Sequence, residues 1–353
     1  MTAAADIVTA LSREDKFRLV SGRDFWTTEP VPEHGLDAIM VSAGPHGLRK
    51  QGEDSDHVGV GESVPATCFP PAVTMGSTWD PSLQARVGAA LGRETRGNDV
   101  AVLLGPGLNI KRHPQGGRNF EYFSEDPFLA GHSAAALTRG IQSEGVGACL
   151  KHYAANNQEA FRMRLDTIVD ERTLREIYLT GFEIAVKESS PWTVMCAYNL
   201  VNGEHADTSK RLLTDILRDE WGFDGLVMSD WFAVSDRITG IAAGLDLEMP
   251  GSSGSWDARI GAALDDGTLS EADLDTAVRN VVEMVLRAKA GREAHTTPMD
   301  HDAHHALARE AAAAGTVLLA NDGTLPLAAP ASVALIGSFA EAPRYQGAGS
   351  SQV

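Results

Sequence analysis

Short, continuous apolar runs recur along the first 250 or so residues, and most are followed by a stretch whose apolar positions repeat at helical spacing. "LDAIMVS", "PAVTMGS", "DVAVLLGP", "GVGACLKHY", "TVMCAYN", "DGLVMSD" and "GLDLEMP" read as buried strands, apolar on both faces rather than alternating. "PSLQARVGAALGRETRG" and "DERTLREIYLTGFEIAVKES" read as helices, the second with Asp170 as its N-cap and acidic residues in the first turn. Buried strands that alternate with helices make a parallel sheet covered by helices. Seven such runs predict an α/β fold, a closed (β/α)8 TIM-type barrel over residues 1–290.

After the helix "SEADLDTAVRNVVEMVLRAKAG" the pattern changes. "REAHTTPMDHDAHH" is polar and aperiodic, and residues 291–305 are expected to be a linker. Residues 306–353 offer one helix, "HALAREAAAAGTVLL", one strand, "SVALIGSF", and a Gly/Ser-rich end. Those elements cannot enclose a core, so this stretch is expected to be the incomplete start of a second domain.

Composition narrows the field. The chain has 353 residues, 43% of them hydrophobic, and a net charge of −18. No basic stripe interrupts that acidity, so nucleic acid is not an expected partner. No run is long enough to span a bilayer, and the N-terminus lacks a basic segment followed by an apolar core. Three scattered cysteines, Cys68, Cys149 and Cys196, suit a reducing compartment. A cytoplasmic protein away from membranes is expected, with assembly into a homo-oligomer left open.

The chemistry gathers where the predicted strands stop. Arg49 follows "IMVSAGPHGL", Lys151 and His152 follow "GACL", Tyr198 and Asn199 follow "VMCA", and Asp230 and Trp231 follow "LVMS". The C-terminal ends of barrel strands are where such folds build their sites. Asp230 taken alone has two readings of equal weight, a site carboxylate or the N-cap of a following helix. The loop "GPGLNIKRHPQGGRNFEYFSEDP" shifts the balance, because so many charges and aromatics on one long loop point to a site. The loop has no GxGxxG or GK[ST] pattern, so no nucleotide cofactor is expected. His301 and His305 share a helical face but no third ligand is identifiable, so no metal is expected. Trp79, Trp192 and Trp221 are read as core packing. No GxSxG elbow is present and the cysteines lack a paired base, so acyl transfer has no nucleophile. A carboxylate among hydrogen-bond donors and aromatic faces suits sugar, and Asp can attack an anomeric carbon.

These segments together resemble glycoside hydrolase family 3, particularly its bacterial β-glucosidases. The likeness is carried by "GPHGLRKQ", "FPPAVTMGSTWD", "GRNFEYFSEDP", "KHYAANNQE", "VMCAYNLVNG", "LVMSDW", "GLDLEMPG" and "AAAGTVLLANDGTLPL". The resemblance implies a (β/α)8-type barrel followed by an α/β/α sandwich domain, and a retaining β-glycosidase releasing terminal β-D-glucose without a cofactor. It makes Asp230 the nucleophile. It makes Arg118, Lys151 and His152 ligands of the sugar hydroxyls, with Met195, Tyr198, Trp231 and Arg49 lining the site. Two positions depart from the pattern. Ala43 stands where the family has an aspartate that anchors the far hydroxyls of glucose. The family's acid/base glutamate lies in the sandwich domain, and neither Glu310 nor Glu341 matches its motif, so the acid is expected outside this chain. "KHYAANN" also lacks the "KHFPGHG"-like text of the N-acetylglucosaminidases. The alternatives are a β-xylosidase or small-molecule glucoside hydrolase, and a noncatalytic sugar-binding relative.

Overall fold

The computed structural model describes residues 2–51, 63–329, 331–343 and 349–353. Its strands, in chain order, are β1 (Val41–Ala43), β2 (Val102–Leu104), β3 (Gly147–Tyr153), β4 (Asp166–Thr167), β5 (Thr193–Cys196), β6 (Leu200–Val201), β7 (Glu204–His205) and β8 (Leu226–Met228). β1, β2, β3, β5 and β8 form one parallel sheet in that order. Single bridges carry the sheet round to its start. Met228 pairs with Leu247 and Glu248 with Ser21, both parallel, then Gly22 with Thr28 and Thr27 with Met40, both antiparallel. Met40 adjoins β1, so the ring closes as a barrel.

One stave, around Thr27 and Thr28, runs against the rest. Only four residues separate Gly22 from Thr27. A parallel return needs a crossover of about a dozen residues, so this link can only be a hairpin. Neither stave of that hairpin was legible as an apolar run, because each is only two or three residues long. β4, β6 and β7 form a small separate sheet beside the barrel mouth.

Helices cover the barrel where the sequence predicts them. Asp80 caps Pro81–Gly97, accepting from the amides of Ser82 and Leu83, and Asp126 caps Pro127–Gln142. Small residues let these two helices touch: a Cβ on Gly88 would lie 2.3 Å from the Leu137 carbonyl oxygen, and one on Gly140 2.1 Å from that of Ala85. Asp170 caps the next helical stretch as expected.

"PAVTMGS" is not a strand. Ala72–Ser77 is a helix whose buried residues are Ala72, Met75 and Gly76, the i, i+3, i+4 spacing of a helix face. Pro71 sets its entry, and the apolar composition that suggested a buried strand serves a short helix equally well. Trp192 and Trp221 are buried, but Trp79 is 73% exposed. It sits at φ +54° in the turn between that helix and the Asp80 cap, which directs its indole outward.

The helix Glu271–Ala294 packs on the N-terminal helix, and a second helix, His301–Gly315, packs back on Pro81–Gly97. The histidines of "DHDAHH" serve this contact. Asp300 caps the helix, and buried His304 places Nδ1 2.6 Å from Glu94 Oε1, while Glu94 also accepts from the Thr67 amide and hydroxyl. "SVALIGSF" forms no strand among the described residues, and Leu335 and Ile336 are exposed. An apolar run becomes a strand only against a neighbouring edge, and no strand among the described residues meets it.

Candidate active site

The staves end in a cleft of about 680 Å³. It brings together all eight residues expected at the site: Arg49, Arg118, Lys151, His152, Met195, Tyr198, Asp230 and Trp231. They come from four different strand ends and the long loop after β2, so their convergence follows from barrel closure. Asn199 does not join them. Its amide is spent on the carbonyls of Ala154 and Leu200, holding the loop behind the cleft.

Asp230 stands two residues beyond β8 and is nearly inaccessible. Its Oδ1 accepts from the Trp231 amide at 2.7 Å, while Oδ2 makes no close hydrogen bond. His152 Nε2 is 3.6 Å from that oxygen. Burial raises the carboxyl above the ordinary aspartate range, against the downward pull of Arg118, the Trp231 amide, Lys151 and the Tyr198 hydroxyl. The alternative role as a helix cap falls to Asp236, which accepts from Thr239 at the start of Arg237–Ala243.

Glu121 forms the opposite pole. It is fully buried, accepts from Arg118 Nε at 2.5 Å and lies 3.6 Å from Lys151 Nζ. Burial opposes its ionisation, yet Arg118 and Lys151 hold its carboxyl below the usual range. Burial lowers Lys151, with Glu121 acting the other way. His152 is pushed well below the usual imidazole value by burial, then by Arg118, Lys151 and Arg162, so it is neutral at neutral pH.

The sequence reading missed several lining residues. Glu121 counted among the charges of the long loop but was given no role of its own. Glu159 and Arg162 pair at 2.8 Å across the mouth, and Arg162 lies 4.2 Å above the Tyr198 ring. Phe25, Trp26, Trp231 and Phe232 make an aromatic wall, with the Trp231 indole N–H donating to the Phe25 carbonyl at 2.9 Å. Phe25 and Trp26 come from the hairpin that the sequence did not show. Gly349 and Ser350 reach the cleft from the far end of the chain. Other charges of the long loop go elsewhere: Lys111 and Glu125 line a separate groove beside Trp79, and Arg112 reaches the Tyr178 hydroxyl.

No His/Cys/Asp/Glu group that could hold a metal occurs among the described residues. Cys149 and Cys196 are buried free thiols, and burial pushes Cys149 up to about 12, so neither is a nucleophile. No helix among the described residues is long and apolar enough to cross a membrane.

Residues 52–284 match the model of the glycosyl hydrolase family 3 N terminal domain. The chain belongs to glycosyl hydrolase family 3. It is 54% identical to thermostable beta-glucosidase B of Acetivibrio thermocellus over 98% of this chain and 46% of that protein. It is 47% identical to an exo-alpha-(1->6)-L-arabinopyranosidase of Bifidobacterium longum over 98% of this chain and 47% of that one. Among solved structures, beta-glucosidase 3B from Thermotoga neapolitana in complex with alpha-D-glucose superposes with a TM-score of 0.91 at 42% identity, over 99% of this chain and 52% of that chain. The chain thus spans about half the length of the relatives it matches.

Proposed function

We propose that this chain carries the sugar-binding half of a retaining β-glycosidase acting on terminal β-D-glucosides. The observation that supports this most directly is Asp230, a buried carboxylate at the mouth of the barrel with one oxygen that makes no close hydrogen bond. In this reading Asp230 Oδ2 attacks the anomeric carbon, forming a glycosyl ester as the aglycone bond breaks. Arg118, Lys151 and neutral His152 donate to ring hydroxyls, and Met195, Tyr198, Arg49 and Trp231 shape the walls. The names of the Acetivibrio and Thermotoga proteins support the choice of glucoside.

The leaving group needs a proton. The two other carboxylates of the cleft among the described residues are both committed to cations, Glu121 to Arg118 and Lys151 and Glu159 to Arg162. Neither is a poised acid, which agrees with the expectation from the family resemblance that the acid lies outside this chain. We take residues 1–290 as the barrel, 291–305 as the link and 306–353 as the first part of a second domain. Free, scattered thiols fit a cytoplasmic setting.

A pentopyranoside is the second reading. Ala43, at the end of β1, presents only a methyl group to the cleft. A sugar without C6 needs no anchor there, and one relative at 47% identity is named an arabinopyranosidase. The test is trapping with 2,4-dinitrophenyl 2-deoxy-2-fluoro-β-D-glucoside, whose activated leaving group needs no acid. Residues 1–353 should gain one fluoroglucosyl group on the peptide containing Asp230. A label elsewhere, or labelling by the xylose analogue alone, overturns the glucosidase assignment.

A further inference from the structure

His152 is held more firmly than a group needed only for its bulk. Its backbone is clamped from both sides by Asn109, which donates Nδ2 to the His152 carbonyl at 2.9 Å and accepts from the His152 amide at 2.7 Å. Its ring meets Tyr122, a buried residue of the loop after β2, whose hydroxyl is 3.1 Å from Nδ1. The two rings stand edge-on at 74°.

The direction of that hydrogen bond follows from the other end of the imidazole. A neutral ring carries one proton, on Nδ1 or on Nε2. Were it on Nδ1, a nitrogen lone pair would face Asp230 Oδ2, 3.6 Å away, and two acceptors would oppose each other in a buried site. With the proton on Nε2, that N–H points at Asp230 Oδ2, which makes no close hydrogen bond. Tyr122 can then donate its only proton to Nδ1. Only in this arrangement does Nδ1 accept from Tyr122 while Nε2 turns a proton rather than a lone pair toward the carboxylate, which at 3.6 Å attracts it without forming a hydrogen bond.

The geometry points to Tyr122 as a positioning residue: its hydroxyl donates to His152 Nδ1, fixes the Nε2–H tautomer, and thereby aims a hydrogen-bond donor at the space between Asp230 and the sugar. The tautomer stands on the protein's own contacts, whereas the sugar as recipient rests on the proposed function. Tyr122 does not line the cleft, so its influence on binding passes through the imidazole.

The experiment is ¹⁵N spectroscopy of histidine-labelled chain at neutral pH, with His152 assigned by the signals lost in His152→Gln. The unmodified chain should show a protonated Nε2 and an unprotonated Nδ1 shifted by accepting a hydrogen bond. In Tyr122→Phe the Nδ1 signal should move to the value of a nitrogen without a donor, while the fold, read by circular dichroism, stays. Methyl β-D-glucoside should bind that variant about five- to tenfold more weakly, the loss of one net hydrogen bond's worth of order. A proton found on Nδ1 in the unmodified chain overturns the proposal without any variant. So does a Tyr122→Phe spectrum with both His152 nitrogens unmoved, the result expected if Tyr122 only packs. Failure of the unmodified chain to bind the glucoside sinks the sugar-site reading, and the spectrum alone then decides the tautomer.

Discussion

Glu121 and Asp230 are both enclosed carboxylates at the mouth of one barrel, and they are treated in opposite ways. Glu121 receives a direct bond from Arg118 and the charge of Lys151, and is held ionised. Asp230 receives no direct bond from a cation and is held above the usual aspartate range, although each carboxylate leaves one oxygen, Glu121 Oε2 and Asp230 Oδ2, without a close hydrogen bond. The contrast assigns their work. Glu121 balances the cations that line the cleft, and in the proposed function Asp230 is the reacting carboxylate.

The two shifts also act on stability with opposite sign. Asp230 binds its proton more tightly folded than unfolded, so it adds stability below its unfolded pKa and withdraws it as the pH rises through the folded value. Glu121 binds its proton less tightly when folded, so its contribution is present above its unfolded pKa and is lost as the pH falls through the folded one.

The largest effect that could break this contrast is at Asp230. Asp230→Asn should abolish fluoroglucoside trapping, a loss of more than about 10³-fold in rate by intact-protein mass spectrometry. Trapping that persists would move the nucleophile elsewhere. Glu121→Gln should act through structure. It leaves two buried cations short of their counter-ion, and breaking a buried pair costs about 3–5 kcal/mol, readable as a lower denaturation midpoint. A variant as stable as the parent would show that Arg118 and Lys151 do not depend on it.

Ala43→Asp tests the cleft rather than either carboxylate. A new anchor should speed trapping by the glucose reagent by about ten- to a hundredfold, less the cost of burying the charge, and should favour it over the xylose reagent. No gain, or a loss, would favour the pentopyranoside reading. The smallest effect is in the pH profile. Attack needs ionised Asp230, so the trapping rate should fall as the pH drops through its folded pKa, and that limb should lie above the range of an ordinary aspartate. A limb within the ordinary range would mean the cations reach Asp230 as fully as they reach Glu121.

Much of this site was legible before any coordinates because the barrel puts chemistry at strand ends, and a run such as "LVMSDW" marks its own end. Asp230, His152, Lys151 and Tyr198 are read that way, Arg118 stands out on the charged loop after β2, and Met195 came only with the family resemblance. What stayed hidden was carried by short or misleading local patterns. Phe25 and Trp26 lie in the turn of a hairpin whose staves are too short to leave a periodic signal. Trp79 looked like core, yet a left-handed turn faces it outward. "PAVTMGS" and "SVALIGSF" have strand composition, but one packs as a helix and the other has no edge to pair with.

By itself, then, the sequence determined the alternation of buried strands and covering helices, the helix cap Asp170, and which polar residues stand at strand ends. Those are local properties, set by periodicity and by groups a few residues apart. Only the tertiary structure decided that Tyr122 faces the imidazole of His152, that Glu121 rather than Asp230 takes Arg118 as its direct partner, and that the hairpin closes the ring. Hydrogen-bond direction, ion-pair choice and the dielectric around a carboxylate depend on groups far apart in the chain. They exist only once the barrel has brought its strand ends to one mouth.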